Sequence, residues 1–172
     1  EILVPYAIES LLSGVQMPLL PDQRLWYRRT FSDLRSAFMI ESEWRSLLHF
    51  GAVDYACDVW VNGSRLGGHT GGYLPFTFDI TDSLKEGENE LIVSVWDPSD
   101  TGLQQRGKQA LRPKGIWYTP VSGIWQTVWL ERLPAFSIDA LHWLPDVERW
   151  QIGVEVRTSE HAPDLRLEVE LS

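Results

Sequence analysis

Between two strong apolar strands of this sequence lies a stretch whose side chains could hold a sugar ring. Arg106-Gly107-Lys108-Gln109 is followed by Gly115-Ile116-Trp117-Tyr118-Thr119-Pro120-Val121-Ser122-Gly123. Long loops carried on a rigid scaffold commonly bear function. Trp and Tyr supply flat apolar faces with a polar edge, and Arg and Lys supply hydrogen-bond donors; a pyranose needs both. Asp100 closes Asp97-Pro98-Ser99-Asp100, directly after the first of those strands. A turn start is the first reading of that tetrapeptide, a loop facing a ligand the second. Trp117, Tyr118, Arg106 and Asp100 are therefore the candidate substrate-binding residues. The competing reading has Trp117 and Tyr118 sealing the end of a sandwich or an interdomain seam, and the residues alone weigh the two equally.

An autonomous catalytic site is harder to find. No G-x-S-x-G is present for a serine nucleophile. His49, His69, His142 and His161 lack metal-ligand spacing to one another or to Cys57. The stretch from Gly67 to Gly72 lacks the Lys-Ser/Thr and the βαβ setting of a phosphate cradle, so His69 reads as a loop residue. Glu41 and Glu43 would share one face of a strand and read as surface charge. Asp79 and Asp82 read as caps of a short turn. Cys57, the single cysteine, sits in the apolar pattern 55–61 and reads as an inert buried thiol. No catalytic residue, metal ligand set or cofactor is assigned.

Composition narrows the partners. The 172 residues carry 15 Lys and Arg against 24 Asp and Glu, a formal charge of −9. No basic run exceeds Arg28-Arg29, so no nucleic-acid partner is expected, and an acidic surface disfavours anionic membranes. No stretch approaches the roughly 20 apolar residues of a membrane span, and no signal-peptide pattern opens the chain. The sequence leaves the compartment open between cytoplasm and periplasm. Nine Trp fit sandwich-core packing for most of their number.

The elements that must position the loop are strands. The apolar period is mostly two: Leu91, Val93 and Val95 alternate with Ile92, Ser94 and Trp96, and Ile152, Val154 and Val156 with Gly153, Glu155 and Arg157. The run 124–131 is apolar on both faces and is expected to be one strand, central or covered. Asn62-Gly63 between Val59-Trp60-Val61 and Arg65-Leu66 predicts a type I′ hairpin. Residues 67–72 are expected to form a flexible loop, and single helical turns are expected near 9–12 and 82–84. A boundary is expected near Leu133-Pro134, dividing a complete sandwich over 1–134 from strands at 136–143, 150–156 and 165–171. Three strands cannot easily bury a sandwich core, so 135–172 is expected to be an incomplete unit of a longer protein. Its open edges and apolar face are expected to pack on the first unit or pair with a second copy, which makes a homo-oligomer one expected outcome.

Five pieces in order carry a likeness. Leu25-Trp26-Tyr27-Arg28-Arg29-Thr30-Phe31 opens the series. The segment 48–63 follows, ending in Val61-Asn62-Gly63. Then come 71–81, Glu86-Gly87-Glu88-Asn89-Glu90-Leu91, and Ser122-Gly123-Ile124-Trp125-Gln126-Thr127-Val128-Trp129-Leu130-Glu131. Together, over roughly 24–131, they resemble the N-terminal domain of family 2 glycoside hydrolases, which include β-galactosidases, β-glucuronidases and β-mannosidases. The resemblance implies an all-β fold: a jelly-roll, galactose-binding-domain-like β-sandwich over 1–134, then the start of an immunoglobulin-like β-sandwich over 135–172. A (β/α)8 barrel would come next in the family's domain order.

The same resemblance implies a role. The family's acid/base and nucleophile are two glutamates of the barrel, so neither is assigned to this chain. First-domain loops reach over the barrel mouth, and the loop before Ser122-Gly123-Ile124 is one of them. Relatives place an acidic sugar contact there; this sequence has Trp117 and Tyr118 at the approximate position. The implied protein is a retaining exo-β-glycosidase of bacterial type acting on a carbohydrate substrate, with this chain inactive alone. The alternatives are a self-sufficient, lectin-like carbohydrate-binding module, and a purely structural sandwich with Trp117 and Tyr118 fully buried.

Overall fold

The computed structural model describes residues 1–32, 44–134, 136–159 and 168. Contacts divide the chain into two units: Glu1–Ile40 with Ser46–Glu131, and Glu41–Arg45 with Arg132–Ser172. The predicted surface pair Glu41 and Glu43, the strand at 165–171 and His161 lie outside the described residues.

The first unit is built from antiparallel strands. β1 (Leu25–Ser32), β7 (Glu88–Trp96), β4 (Ala56–Val61) and β5 (Ser64–Thr70) make one sheet in the order β1-β7-β4-β5. β6 (Phe76–Asp79), β2 (Trp44–Phe50) and β9 (Val128–Pro134) make a second, and β3 (Val53–Asp54) pairs with β8 (Gly123–Ile124). Period-two alternation does its expected work. Cys57, Val59 and Val61 of β4 and Val93 and Val95 of β7 turn into one core with Leu48 and Phe50 of β2, Val53, Ile80 and Ile124. Burial of each such side chain contributes roughly 1.5–3 kcal/mol.

The Asn62-Gly63 hairpin is present. Asn62 has φ 51° and Gly63 φ 82°, and Val61 faces Ser64 across the turn. Asn62 also donates its amide to Ser83 O (2.8 Å) and to Asn89 Oδ1 (2.7 Å), tying the turn to the next loop. The short helical turns fall at Leu11–Ser13, capped by Ser10, and at Thr81–Ser83, where Asp79 Oδ1 accepts from Thr81 N–H at 3.0 Å.

Two expectations need correction. Gly67, Gly68, His69 and Thr70 belong to β5 and are not a loop. The glycines are there because Phe78 lies over Gly67, whose added Cβ would meet the ring at 2.9 Å, and because Gly68 lies against Cys57 O; His69 then stacks on Phe76 at 4.2 Å. The run 124–131 is not one strand. It breaks into β8 and β9, since Trp125 N–H donates to Ala52 O and its indole N–H to Gly72 O (2.8 Å). β9 lies at the edge of its sheet, where Trp129 stays exposed and stacks on His49 at 4.8 Å.

In the second unit, β10 (Ile138–Asp146) and β11 (Gln151–Thr158) form an antiparallel hairpin. Most of its apolar side chains are exposed, Leu141, Trp143, Leu144 and Ile152 among them. Arg132 lies over the Trp44 ring at 5.6 Å. No helix among the described residues is long and apolar enough to cross a membrane.

Candidate functional site

The loop 97–122 leaves β7 and returns to β8, and its two ends are pinned together. Asp97, Ser99, Gln109 and Ser122 are all buried. Ser122 Oγ donates to Asp97 Oδ2 at 2.6 Å, and Ser99 N–H donates to Asp97 Oδ1 at 2.7 Å. Ser99 Oγ donates to Leu19 O (2.9 Å), and Ser122 N–H donates to Glu9 Oε2 (3.0 Å), so the N-terminal segment closes over the loop's base. Gln109 Oε1 accepts from Val121 N–H at 2.7 Å, and its amide bonds Asp54 of β3. Gly123 is required at the exit: its φ is +86°, and a Cβ there would collide with the Tyr27 hydroxyl, which accepts from Ile124 N–H at 3.1 Å.

Three carboxyl groups thus meet at the base. Burial pushes Asp54 up to about 7, with the Asp97 charge adding to the rise, Gln109 opposing it and Glu9 adding a little more. Glu9 and Asp97 are raised too, again chiefly by burial. Asp97 accepts from a hydroxyl and a backbone N–H, Glu9 Oε2 from a backbone N–H, and Asp54 faces the Gln109 side chain, so they act as ties. Ser122 has a carboxylate partner and no imidazole between them, which leaves it without a base to make it a nucleophile. Among the described residues no group of three His, Cys, Asp or Glu side chains could hold a metal ion.

The outer part of the loop is different. Trp117 is 47% and Tyr118 50% exposed. Tyr118 runs beside 108–110: its N–H donates to Lys108 O (3.1 Å), its carbonyl accepts from Ala110 N–H (2.9 Å), and its hydroxyl accepts from Lys108 N–H (3.1 Å). The backbone under the ring is therefore held while the side chain stays half exposed. Trp117 N–H donates to Lys114 O at 3.1 Å. Arg106 Nη1 is enclosed without a hydrogen-bond partner. Asp100 is half-buried, and its Oδ2 accepts from Leu111 N–H at 2.9 Å. Of the four sequence candidates, Arg106 and Tyr118 thus belong to one segment, with Gln109 bridged to Tyr118 between them. Asp100 braces the loop from within. Both aromatic rings are half exposed in this chain, where the purely structural reading has them fully buried.

The residues that sequence reasoning missed are the ties: Glu9, Asp54, Asp97, Gln109 and Ser122. The one local signal was Asp54, a carboxyl set among Ala52, Val53, Ala56 and Cys57. Cys57 is buried as expected, at 5% exposure, and its thiol is pushed up to about 11 by that burial.

An all-β scaffold that buries the base of one long loop and exposes aromatic side chains on it is the architecture of a loop-borne binding domain. The family model described as glycosyl hydrolases family 2, sugar binding domain, matches residues 14–134. The chain belongs to that family. A β-glucuronidase described as putative from Formosa agariphila is 33% identical over 116 residues, 67% of this chain and 13% of its own length. A β-galactosidase of Thermoanaerobacter pseudethanolicus is 30% identical over 126 residues, 70% of this chain and 15% of its length. The crystal structure of a β-glycosidase from Bacteroides vulgatus shares 29% identity over 80% of this chain and 16% of that one, with a TM-score of 0.58. The chain therefore spans about one-seventh of the length of these relatives.

Proposed function

We propose that this chain is the N-terminal, non-catalytic domain of a retaining exo-β-glycosidase, and that its loop 97–122 shapes the mouth of a catalytic barrel lying elsewhere in the longer protein. On this reading residues 1–134 are the jelly-roll domain and 135–172 the first strands of an immunoglobulin-like domain. The observation that carries it is the loop itself: buried ties at its base fix its position, and Trp117 and Tyr118 stay half exposed on it. A pocket completed by another domain needs such a fixed, open surface, because a sugar held loosely is not presented to the reacting groups. Trp117 would stack on a ring face. Arg106, with a donor unsatisfied in this chain, would meet a hydroxyl or an acidic substituent. Asp100 contributes by bracing Leu111.

The relatives include enzymes named for β-glucuronides and for β-galactosides, so those two glycosides are the first substrates to try. Retaining hydrolysis needs two carboxyls about 5–5.5 Å apart, one nucleophilic and one proton-donating. At the loop base both oxygens of Asp97 and Oε2 of Glu9 accept from scaffold donors instead. Nitrophenyl β-glucuronide and β-galactoside are to be assayed with the 172-residue chain and with the longer protein. The expected result is turnover by the longer protein alone; turnover by the purified chain contradicts the proposal.

A further inference from the structure

The N-terminal segment lies over the base of the loop 97–122 with its polar side turned in. Ser13 is 1% exposed. Its Oγ donates to Ser10 O at 2.7 Å, lies 3.1 Å from Ile8 O, and accepts from Val15 N–H at 3.1 Å. Glu9 Oε2 takes the Ser122 N–H, Ile8 N–H donates to Ser122 O at 3.4 Å, and Leu19 O takes the Ser99 hydroxyl. Leu3, Leu11, Leu12 and Met17, by contrast, are each more than half exposed, Leu11 at 71%. The backbone that carries them is held. Leu3 N–H donates to Ser13 O (2.9 Å), Met17 N–H donates to Ile8 O (3.2 Å), and Gly14, with φ +81°, closes the turn at Leu11–Ser13 by donating to Leu11 O (3.2 Å). An ordered segment that hides a hydroxyl and a carboxyl and shows leucines is shaped for a cover, because apolar surface on water is where a second surface gains most.

The chemistry of the segment says what kind of cover. Between residues 2 and 21 the sole charged side chain is Glu9, and it is tied to Ser122. No Lys or Arg precedes Arg24. The segment therefore has nothing to grip an anionic lipid surface or a nucleic acid, which both call for basic side chains. Leu and Met side chains offer a sugar neither a flat ring nor a hydrogen bond. An uncharged apolar surface is what the core of a protein interface requires. A second copy of the chain would have to be drawn from solution. A further domain of the same protein is present at high effective concentration. The curated relatives leave ample chain for one, since the match takes up 13% of the Formosa protein and 15% of the Thermoanaerobacter protein. The bonds to Ser99 and Ser122 also place the segment against the loop that, on the proposed reading, meets the catalytic barrel.

We infer that the exposed apolar face of residues 2–20, with Leu3, Leu11, Leu12 and Met17, is an interdomain seam on which the catalytic domain of the longer protein packs beside the loop 97–122. On the barrel-mouth reading, which this seam presupposes, the loop base is then gripped from both sides: by its own scaffold through Asp97, Gln109 and Ser122, and by the catalytic domain through the segment that covers it.

Hydroxyl-radical footprinting with peptide mass spectrometry tests it on the 172-residue chain and on the longer protein. Leu11, Leu12 and Met17 should label severalfold more slowly in the longer protein. Equal labelling in the two overturns the inference. The occupant is identified by photo-crosslinking in the longer protein with p-benzoylphenylalanine in place of Leu12. A crosslink within one chain, to a peptide of the catalytic domain, is expected; a crosslink between two copies overturns the inference by giving the face to a second molecule. Leu11→Asp combined with Leu12→Asp should leave the melting temperature of the 172-residue chain unchanged, since both side chains are exposed in it, and should lower that of the longer protein. An unchanged melting temperature in the longer protein overturns the inference too. None of these readouts needs turnover, so a longer protein inactive on both glycosides would defeat the proposed activity while the labelling and the crosslink still decide the seam.

Discussion

The two ends of the loop 97–122 and its outer part obey opposite rules. At the base, Asp97, Ser99, Gln109 and Ser122 are buried and hydrogen-bonded. Further out, Ile116, Trp117 and Tyr118 are exposed, and Tyr118 is tied through its backbone and hydroxyl to 108 and 110. A buried polar tie is costly to break, since a donor or acceptor left unsatisfied inside loses its full hydration. An exposed aromatic ring is cheap to remove for stability. Where the loop sits is thus fixed by groups that no ligand need touch, and what it offers is fixed by groups that stability does not need. The base should therefore govern melting and the exposed part should govern recognition.

The sharpest break of that division is Gly123→Ala. It forces a left-handed φ on a residue with a Cβ and drives that Cβ into the Tyr27 hydroxyl, so a loss of more than about 3 kcal/mol is expected in urea or thermal unfolding. A loss under about 1 kcal/mol would mean that the exit of the loop can relax.

Next in size is the pH dependence set by Asp54. Its carboxyl rises from an ordinary 3.8 to about 7 in the folded chain. Between about pH 4 and 7 the folded state keeps a proton that the unfolded chain has released. Stability from this group is therefore full below pH 4, falls as pH rises through 7, and is level above. The effect is on the order of a few kcal/mol. Glu9 and Asp97 are raised as well and act with the same sign. Asp54→Asn should flatten that part of a melting-temperature profile measured from pH 4 to 8; an unchanged slope would assign it to the other two carboxyls.

Ser122→Ala should cost about 1–3 kcal/mol, because Asp97 Oδ2 loses the donor of its 2.6 Å bond in a buried setting. At the small end, Trp117→Ala should change unfolding by no more than about 0.5 kcal/mol. A large loss there would make Trp117 part of the packing and merge the two regions.

How far the sequence reveals this depends on how local each cause is. The Asn62-Gly63 turn and the alternation of 91–96 are set by neighbours along the chain, and both were legible. The exposed candidates were legible too, since Trp, Tyr and Arg in a long segment between strands announce themselves. Gly67 to Thr70 read as a loop because glycine usually marks one; the reason for strand there is Phe78, brought over Gly67 from β6. The break between β8 and β9 was hidden because Trp125 is satisfied by Ala52 and Gly72, far off in sequence. The base was hidden most completely. Glu9 and Ser122 are 113 residues apart, and no period or spacing connects them.

The most direct test of the division between a fixed base and a recognising surface is Trp117→Ala placed in the longer protein proposed above, with kcat, KM and melting temperature measured on nitrophenyl β-glucuronide or β-galactoside, whichever is turned over. The account predicts KM raised about tenfold, the loss of a stacking contact, with the melting temperature unchanged. Unchanged KM and kcat would show that the exposed face of this loop does not meet the sugar, and would contradict it.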